Sequence, residues 1–175
     1  AKAQGDIQKA RAYLSTTYLA MFILMTIILI ICLLLNSFIE WPHFLHIDDG
    51  YTAELRTTFA ILIIFFCFNL VVSIFSTLAT ANQNPALSSI INACGQVIAI
   101  VVIWILVKYS EGSLVNLALY YSGIPGIVML VFSIIAYRFT SYKEYSPSFR
   151  LIRVAYIKDL MSLGIKFFVI CVSLI

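Results

Sequence analysis

Apolar residues fill four long stretches of the chain, and polar residues are confined to the joints between them and to a few stripes within them. The stretches cover residues 18–38, 57–79, 86–107 and 114–137. Each supplies about the 20 residues that a helix needs to cross the roughly 30 Å hydrocarbon core of a bilayer. A fifth stretch starts near residue 160 and is still running at Ile175. At about 1.5 Å per residue it covers about 24 Å, short of a full crossing. It is therefore expected to be a span cut short, and the chain an internal piece of a longer one. Helix is the expected form throughout, because a segment in hydrocarbon must satisfy its own backbone hydrogen bonds and none of these runs alternates as barrel strands do. The predicted fold class is all-α transmembrane: a helical bundle of four complete spans plus a truncated fifth.

Composition agrees. Hydrophobic residues make up 62% of the 175 and charged residues only 11%, against about a quarter charged in soluble domains. Mean hydropathy is +1.02. The formal charge of +3 matters less than its distribution. Lys2, Lys9 and Arg11 outnumber Asp6 before the first span, whereas Glu40, Asp48, Asp49 and Glu54 face Arg56 alone after it. Lys108 and Glu111 follow the third span, and Arg138, Lys143, Arg150, Arg153 and Lys158 outnumber Glu144 and Asp159 after the fourth. Cytoplasmic loops carry the Lys/Arg excess. The N-terminus, the TANQNP turn and the 138–159 connector are thus expected in the cytoplasm, with Trp41, Trp104 and Tyr109 near the outer interface and Tyr137 and Tyr142 near the inner one.

The TANQNP turn predicts a helical hairpin, with Asn84 placed to cap the next helix and Pro85 in its first turn. Polar residues inside the flanking spans form two stripes. At 100° per residue Ser88, Ser89, Asn92, Gly95, Gln96 and Ala99 share one face of the third span, and Asn69, Ser73, Ser76, Thr77 and Thr80 share one face of the second. Small and hydroxyl-bearing residues pack membrane helices closely, and polar groups at membrane depth also line wet paths. Asn69, Asn92 and Gln96 are the candidates for such a path, because a large amide exceeds what close packing requires. In the fourth span SGIPG sets Pro125 between Gly123 and Gly126, predicting a bend there and marking a candidate hinge. Lys166 stands about two turns into the fifth run, either snorkelling to the interface or facing an internal path where it would attract an anion. The complete spans contain no Asp or Glu.

Other chemistry is sparse. Cys32, Cys67, Cys94 and Cys171 lie in apolar runs without CxxC spacing and read as small hydrophobes. His43, His46, Asp48 and Asp49 are suitable metal-ligand types, yet their spacing matches no site pattern and they read as a solvated outer loop with no metal. No phosphate loop, nucleophile elbow or zinc signature is present, so no enzyme activity, cofactor or nucleic-acid partner is expected.

The stretches AKAQGDIQKARAYLSTTY, NPALSSIINACGQVIAIVVIWIL, EGSLVNLALYYSGIPGIVMLVFSIIAYR and YSPSFRLIRVAYIKDLMSLGIKFF resemble the bacterial oligosaccharide flippases, or O-antigen translocases, of the multidrug/oligosaccharidyl-lipid/polysaccharide exporter superfamily. The resemblance covers nearly the whole chain and is most specific at KDLMSLGIKFF. It implies a MATE-like fold of two pseudo-symmetric lobes around a central cavity, working by alternating access in the bacterial cytoplasmic (inner) membrane. Residues 1–137 would be the second part of the N-terminal lobe (spans three to six), 138–159 the cytoplasmic inter-lobe connector, and 160–175 the start of span seven. The implied partners are the bilayer, the remaining helices of the transporter and a polyprenyl-pyrophosphate-linked oligosaccharide from O-antigen, lipopolysaccharide or other polysaccharide biosynthesis, whose headgroup Lys166 would attract. Spans one and two and most of the second lobe are missing by that alignment, so this chain alone would not transport.

Three other classes compete: a drug or cation antiporter of the same superfamily, expected to use intramembrane carboxylates; a membrane-embedded polysaccharide polymerase or glycosyltransferase, needing an acid/base or metal cluster; and an assembly subunit. The orientation is testable on its own. Reporter fusions are expected to place the connector after the first span and the 138–159 connector on opposite sides of the membrane; finding both on one side would refute the alternating topology.

Overall fold

A helix continues past the end of an apolar run unless something in the chain stops it, and little in this sequence does. In a computed structural model, which describes residues 4–41, 43, 46, 49–109, 113–139, 141–148, 152, 156–158, 161, 162, 164, 166 and 173, the first helix α1 runs Gln4–Phe38. It is followed by a 3-10 turn Asp49–Tyr51, then α2 Thr52–Val72, α3 Ile74–Ala81, α4 Pro85–Tyr109, α5 Leu114–Phe139 and a second 3-10 turn Ser141–Tyr145. No strand occurs among the described residues. Helical stretches of 31, 30, 24 and 26 residues (Gln8–Phe38, Thr52–Ala81, Pro85–Lys108, Leu114–Phe139) are long and apolar enough to cross a bilayer. The chain is an all-α, multi-pass membrane protein. Of the expected fifth span, only scattered residues are described.

Two boundaries differ from the sequence expectation. α1 starts 14 residues before the apolar run, because QGDIQKARAYLSTT contains no proline and the hydroxyls of Ser15, Thr16 and Thr17 bond back to the carbonyls of Arg11, Ala12 and Tyr13 at 2.8, 2.7 and 2.9 Å. Hydropathy marks where lipid contact begins, not where a helix begins. The second span is interrupted at Ser73, whose ψ of −11° is closer to 3-10 than to α geometry. The Ser73 hydroxyl donates to the Leu70 carbonyl at 2.8 Å, and such back-bonding bends helices.

The chain divides into two compact units. In the first, residues 1–23 with 135–175, the Arg11 Nε donates to the Ser146 carbonyl at 3.1 Å and the Ser148 N–H to the Ser15 hydroxyl at 2.9 Å. Tyr18 and Tyr137 share a hydroxyl hydrogen bond at 3.2 Å, Tyr13 stacks on Tyr156, and Tyr142 is buried. The described part of the 138–159 connector is thus strapped to the polar end of α1.

In the second unit, residues 24–134, α3 and α4 form the expected hairpin. α4 begins at Pro85, where a missing N–H costs nothing. The preceding helix ends in a paired-bond cap: Gln83 N–H to Thr80 carbonyl at 3.0 Å and Asn84 N–H to Ala79 carbonyl at 2.9 Å. That motif requires left-handed backbone at the residue after the cap, and Gln83 supplies it with φ of 60° where glycine is usual.

Where α1 ends and α2 and α5 begin, side chains tie the helix ends together. The buried Asn36 donates to the Arg56 carbonyl at 3.1 Å and accepts from Trp41 Nε1 at 2.7 Å, while Trp41 stacks on Phe59 at 3.6 Å. Glu54 accepts from the Leu114 N–H at 3.0 Å, placing a carboxylate of α2 on the N-terminus of α5. An anion there satisfies a helix-end donor and opposes the positive end of the helix dipole. Glu54→Ala is expected to lower stability by about 1 kcal/mol, with Glu54→Gln recovering part of that loss, as read from unfolding of the detergent-solubilised protein.

Candidate functional site

Small residues let α5 approach its neighbours closely enough for their polar groups to meet. A side chain at Gly95 of α4 would stand 3.1 Å from Pro125 Cα, and one at Gly123 would stand 3.0 Å from the Phe65 ring. At Gly126 a Cβ would lie 2.6 Å from Asn69 Oδ1 and 3.0 Å from the Phe68 ring. Pro125 lies inside α5, which runs unbroken from Leu114 to Phe139. The proline has no N–H to give to the carbonyl four residues back and loosens that turn of the helix. Asn69 supplies a donor to the same turn: its Nδ2 bonds the Ser122 carbonyl at 3.0 Å and its own Phe65 carbonyl at 2.8 Å. Both amide protons are therefore engaged.

Beside this junction the helices enclose a cleft of about 230 Å³. Its walls are Phe66, Asn69 and Leu70 of α2, Ser73, Ser76 of α3, Asn92 of α4, and Pro125 and Met129 of α5. Ser76 and Ser88 are bonded hydroxyl to hydroxyl across the hairpin. Asn92 is exposed, and its Nδ2 donates to its own Ser88 carbonyl at 3.1 Å. Its amide oxygen has no partner among the described residues. The Ser73 hydroxyl has given its proton to Leu70 and keeps its lone pairs. Among the described residues no charged side chain lines the cleft.

The site residues expected from sequence are thus partly brought together. Asn69, Asn92 and Pro125 line one cleft, and Gly123 and Gly126 seat α2 on α5 beside it. Gln96 is exposed and lies outside the lining. Lys166 is helical and exposed and belongs to the other unit. On α4 the stripe splits: Ser88, Gly95 and Ala99 are buried, whereas Ser89, Asn92 and Gln96 are exposed. On the second span Thr77 and Thr80 are exposed and bond back to Ser73 and Ser76. His43 and His46 are exposed, Asp48 and the Asp49 side chain lie outside the described residues, and no three His, Cys, Asp or Glu converge among those described. Cys32, Cys67 and Cys94 are free thiols, and Cys171 lies outside the described residues.

Sequence reasoning missed the apolar walls. Phe66, Leu70 and Met129 carry no chemical signal of their own, yet 66, 69, 70 and 73 follow the i, i+3, i+4, i+7 spacing of one helix face, and Met129 stands one turn beyond Pro125. Comparison with protein-family models, curated proteins and solved structures gives no match.

The junction predicts a specific coupling. Asn69→Ala should destabilise by about 1 kcal/mol, within the range found for hydrogen bonds between membrane helices, and Gly126→Ala by a similar amount because the new methyl displaces the Asn69 amide. Since both remove one interaction, the double variant should lose clearly less than the sum of the two. Strict additivity in a denaturant titration would refute the coupling.

Proposed function

We propose that this chain is part of a flippase that moves a lipid-linked oligosaccharide, an O-antigen or other polysaccharide repeat unit, across the bacterial cytoplasmic (inner) membrane by alternating access within a MATE-like two-lobe fold. The observation that carries the reading is a mostly apolar cleft that nevertheless holds open polar atoms of Asn92 and Ser73, set among helices whose other faces are Ile, Leu, Val and Phe exposed as for lipid. Polar atoms left open at membrane depth are costly, and they are placed where a hydrophilic cargo passes. The sequence resemblance supplies the cargo class. Asn69, Asn92 and Gln96 contact the cargo in this reading, and Lys166 attracts its pyrophosphate through a charge-assisted contact. Gly123, Pro125 and Gly126 form the hinge about which the cleft changes access, α5 flexing where the proline N–H is missing. The protein performs no covalent chemistry, and its N-terminal segment faces the cytoplasm.

The runner-up, a drug or cation antiporter, is favoured by nothing in the cleft. An organic cation or coupling ion would be held by a carboxylate, and none lines it. The two readings part in the cell. Deleting the gene is expected to abolish surface polysaccharide while lipid-linked oligosaccharide accumulates inside, and Lys166→Ala and Pro125→Ala in the protein encoded by the whole gene should each restore surface polysaccharide poorly. Normal polysaccharide in the deletion strain would refute the flippase. Full complementation by Lys166→Ala would return that residue to snorkelling, and by Pro125→Ala would remove the hinge.

A further inference from the structure

Resting on the flippase reading, we infer that the cleft beside Pro125 is a subsite for one neutral sugar ring of the cargo and not for its pyrophosphate. Charge decides the first half. An anion in a low-dielectric cleft needs a cation or several donors. Among the described residues no cation lines this one, and both amide protons of Asn69 are committed to α5 and to its own helix. Of the polar atoms left open, the Asn92 oxygen and the Ser73 lone pairs are acceptors and one Asn92 N–H is a donor; a single neutral amide donor among acceptors is too little to hold a phosphate, whereas sugar hydroxyls both give and receive protons.

Size and wall chemistry decide the second. At about 230 Å³ the cleft falls below the roughly 300–1,000 Å³ that houses a drug-sized molecule, so it admits a single ring and not a chain of them. A lipid acyl chain would fit the volume but would leave the Asn92 oxygen without a hydrogen bond. A sugar ring offers both surfaces the walls require: hydroxyls at its rim for Asn92 and Ser73, and a C–H face for Phe66, Pro125 and Met129. Recognition through neutral hydrogen bonds also makes the subsite indifferent to the polyprenyl tail.

The test uses the protein encoded by the whole gene in lipid nanodiscs and two probes, polyprenyl pyrophosphate bearing one neutral sugar and polyprenyl pyrophosphate alone. Wild type is expected to bind the sugar-bearing probe about tenfold more tightly. Asn92→Leu, at an exposed position where folding is not at stake, should bring the two affinities together by weakening only the sugar-bearing probe, and Asn92→Gln should keep part of the difference. Equal binding of both probes by wild type, or a difference that survives Asn92→Leu, overturns the subsite and leaves the flippase standing. Binding of neither probe, with a lipophilic cation such as tetraphenylphosphonium bound instead, overturns both.

Discussion

Association of helices in hydrocarbon is limited by distance. Lipid tails are as apolar as leucine, so burying leucine against a neighbour gains little, and helices hold together through close contact and hydrogen bonds between them. In the unit of residues 24–134, α5 meets that requirement at successive points: Gly95 lies against Pro125, Gly123 against Phe65, and Gly126 against the Asn69 amide. The hydrogen bond from Asn69 to the Ser122 carbonyl exists only because Gly126 has no side chain in its way. Remove the space and the bond goes with it.

The same junction makes the cleft. Pro125 withdraws an N–H from its own helix and presents a ring to α4, so three helices converge at small residues and separate just beyond them, around Phe66, Met129 and Asn92. The two uses that polar residues have in a membrane divide here by atom. The Ser76 and Ser88 hydroxyls and the Asn69 amide protons are spent on holding helices, with hydroxyl paired to hydroxyl and amide to carbonyl. Asn92 and Ser73 keep open atoms. A stripe drawn on a helical wheel merges the two groups because they differ by only part of a turn.

What the sequence made legible follows from this physics. The four spans were readable because the bilayer imposes one length and one polarity, and the α3–α4 turn because Pro85 at a helix start is a local signal. The N-terminal limit of α1 was not, since hydropathy reports lipid contact and Ser15, Thr16 and Thr17, which satisfy their hydroxyls on the helix's own carbonyls, give no apolar signal at all. The Glu54 cap on α5 and the Asn36–Trp41 bond were likewise hidden: each acquires its meaning from a partner on another element or beyond a helix end. Asn69, Asn92 and Pro125 could be picked out singly, each by its own residue type. Their meeting at one cleft depends on the packing at three glycines, which pattern alone does not specify.

A neutral cleft also suits a carrier on kinetic grounds. Coulomb attraction at 4 Å rises from about 1 kcal/mol in water to about 4 at the effective dielectric near a protein surface, so on the proposed reading a charged group in the cleft would resist release of a pyrophosphate. Hydrogen bonds exchanged with water cost roughly what they return, and a ring held by Asn92 and Ser73 can leave as readily as it entered. On the proposed reading the charge belongs with Lys166, which is not among the residues that line the cleft, and the cleft keeps only neutral contacts with the cargo. The turn at Pro125 fits the same constraint. Asn69 holds it by one neutral hydrogen bond to Ser122, strong enough to set a geometry and, on the proposed reading, weak enough to be broken when access changes.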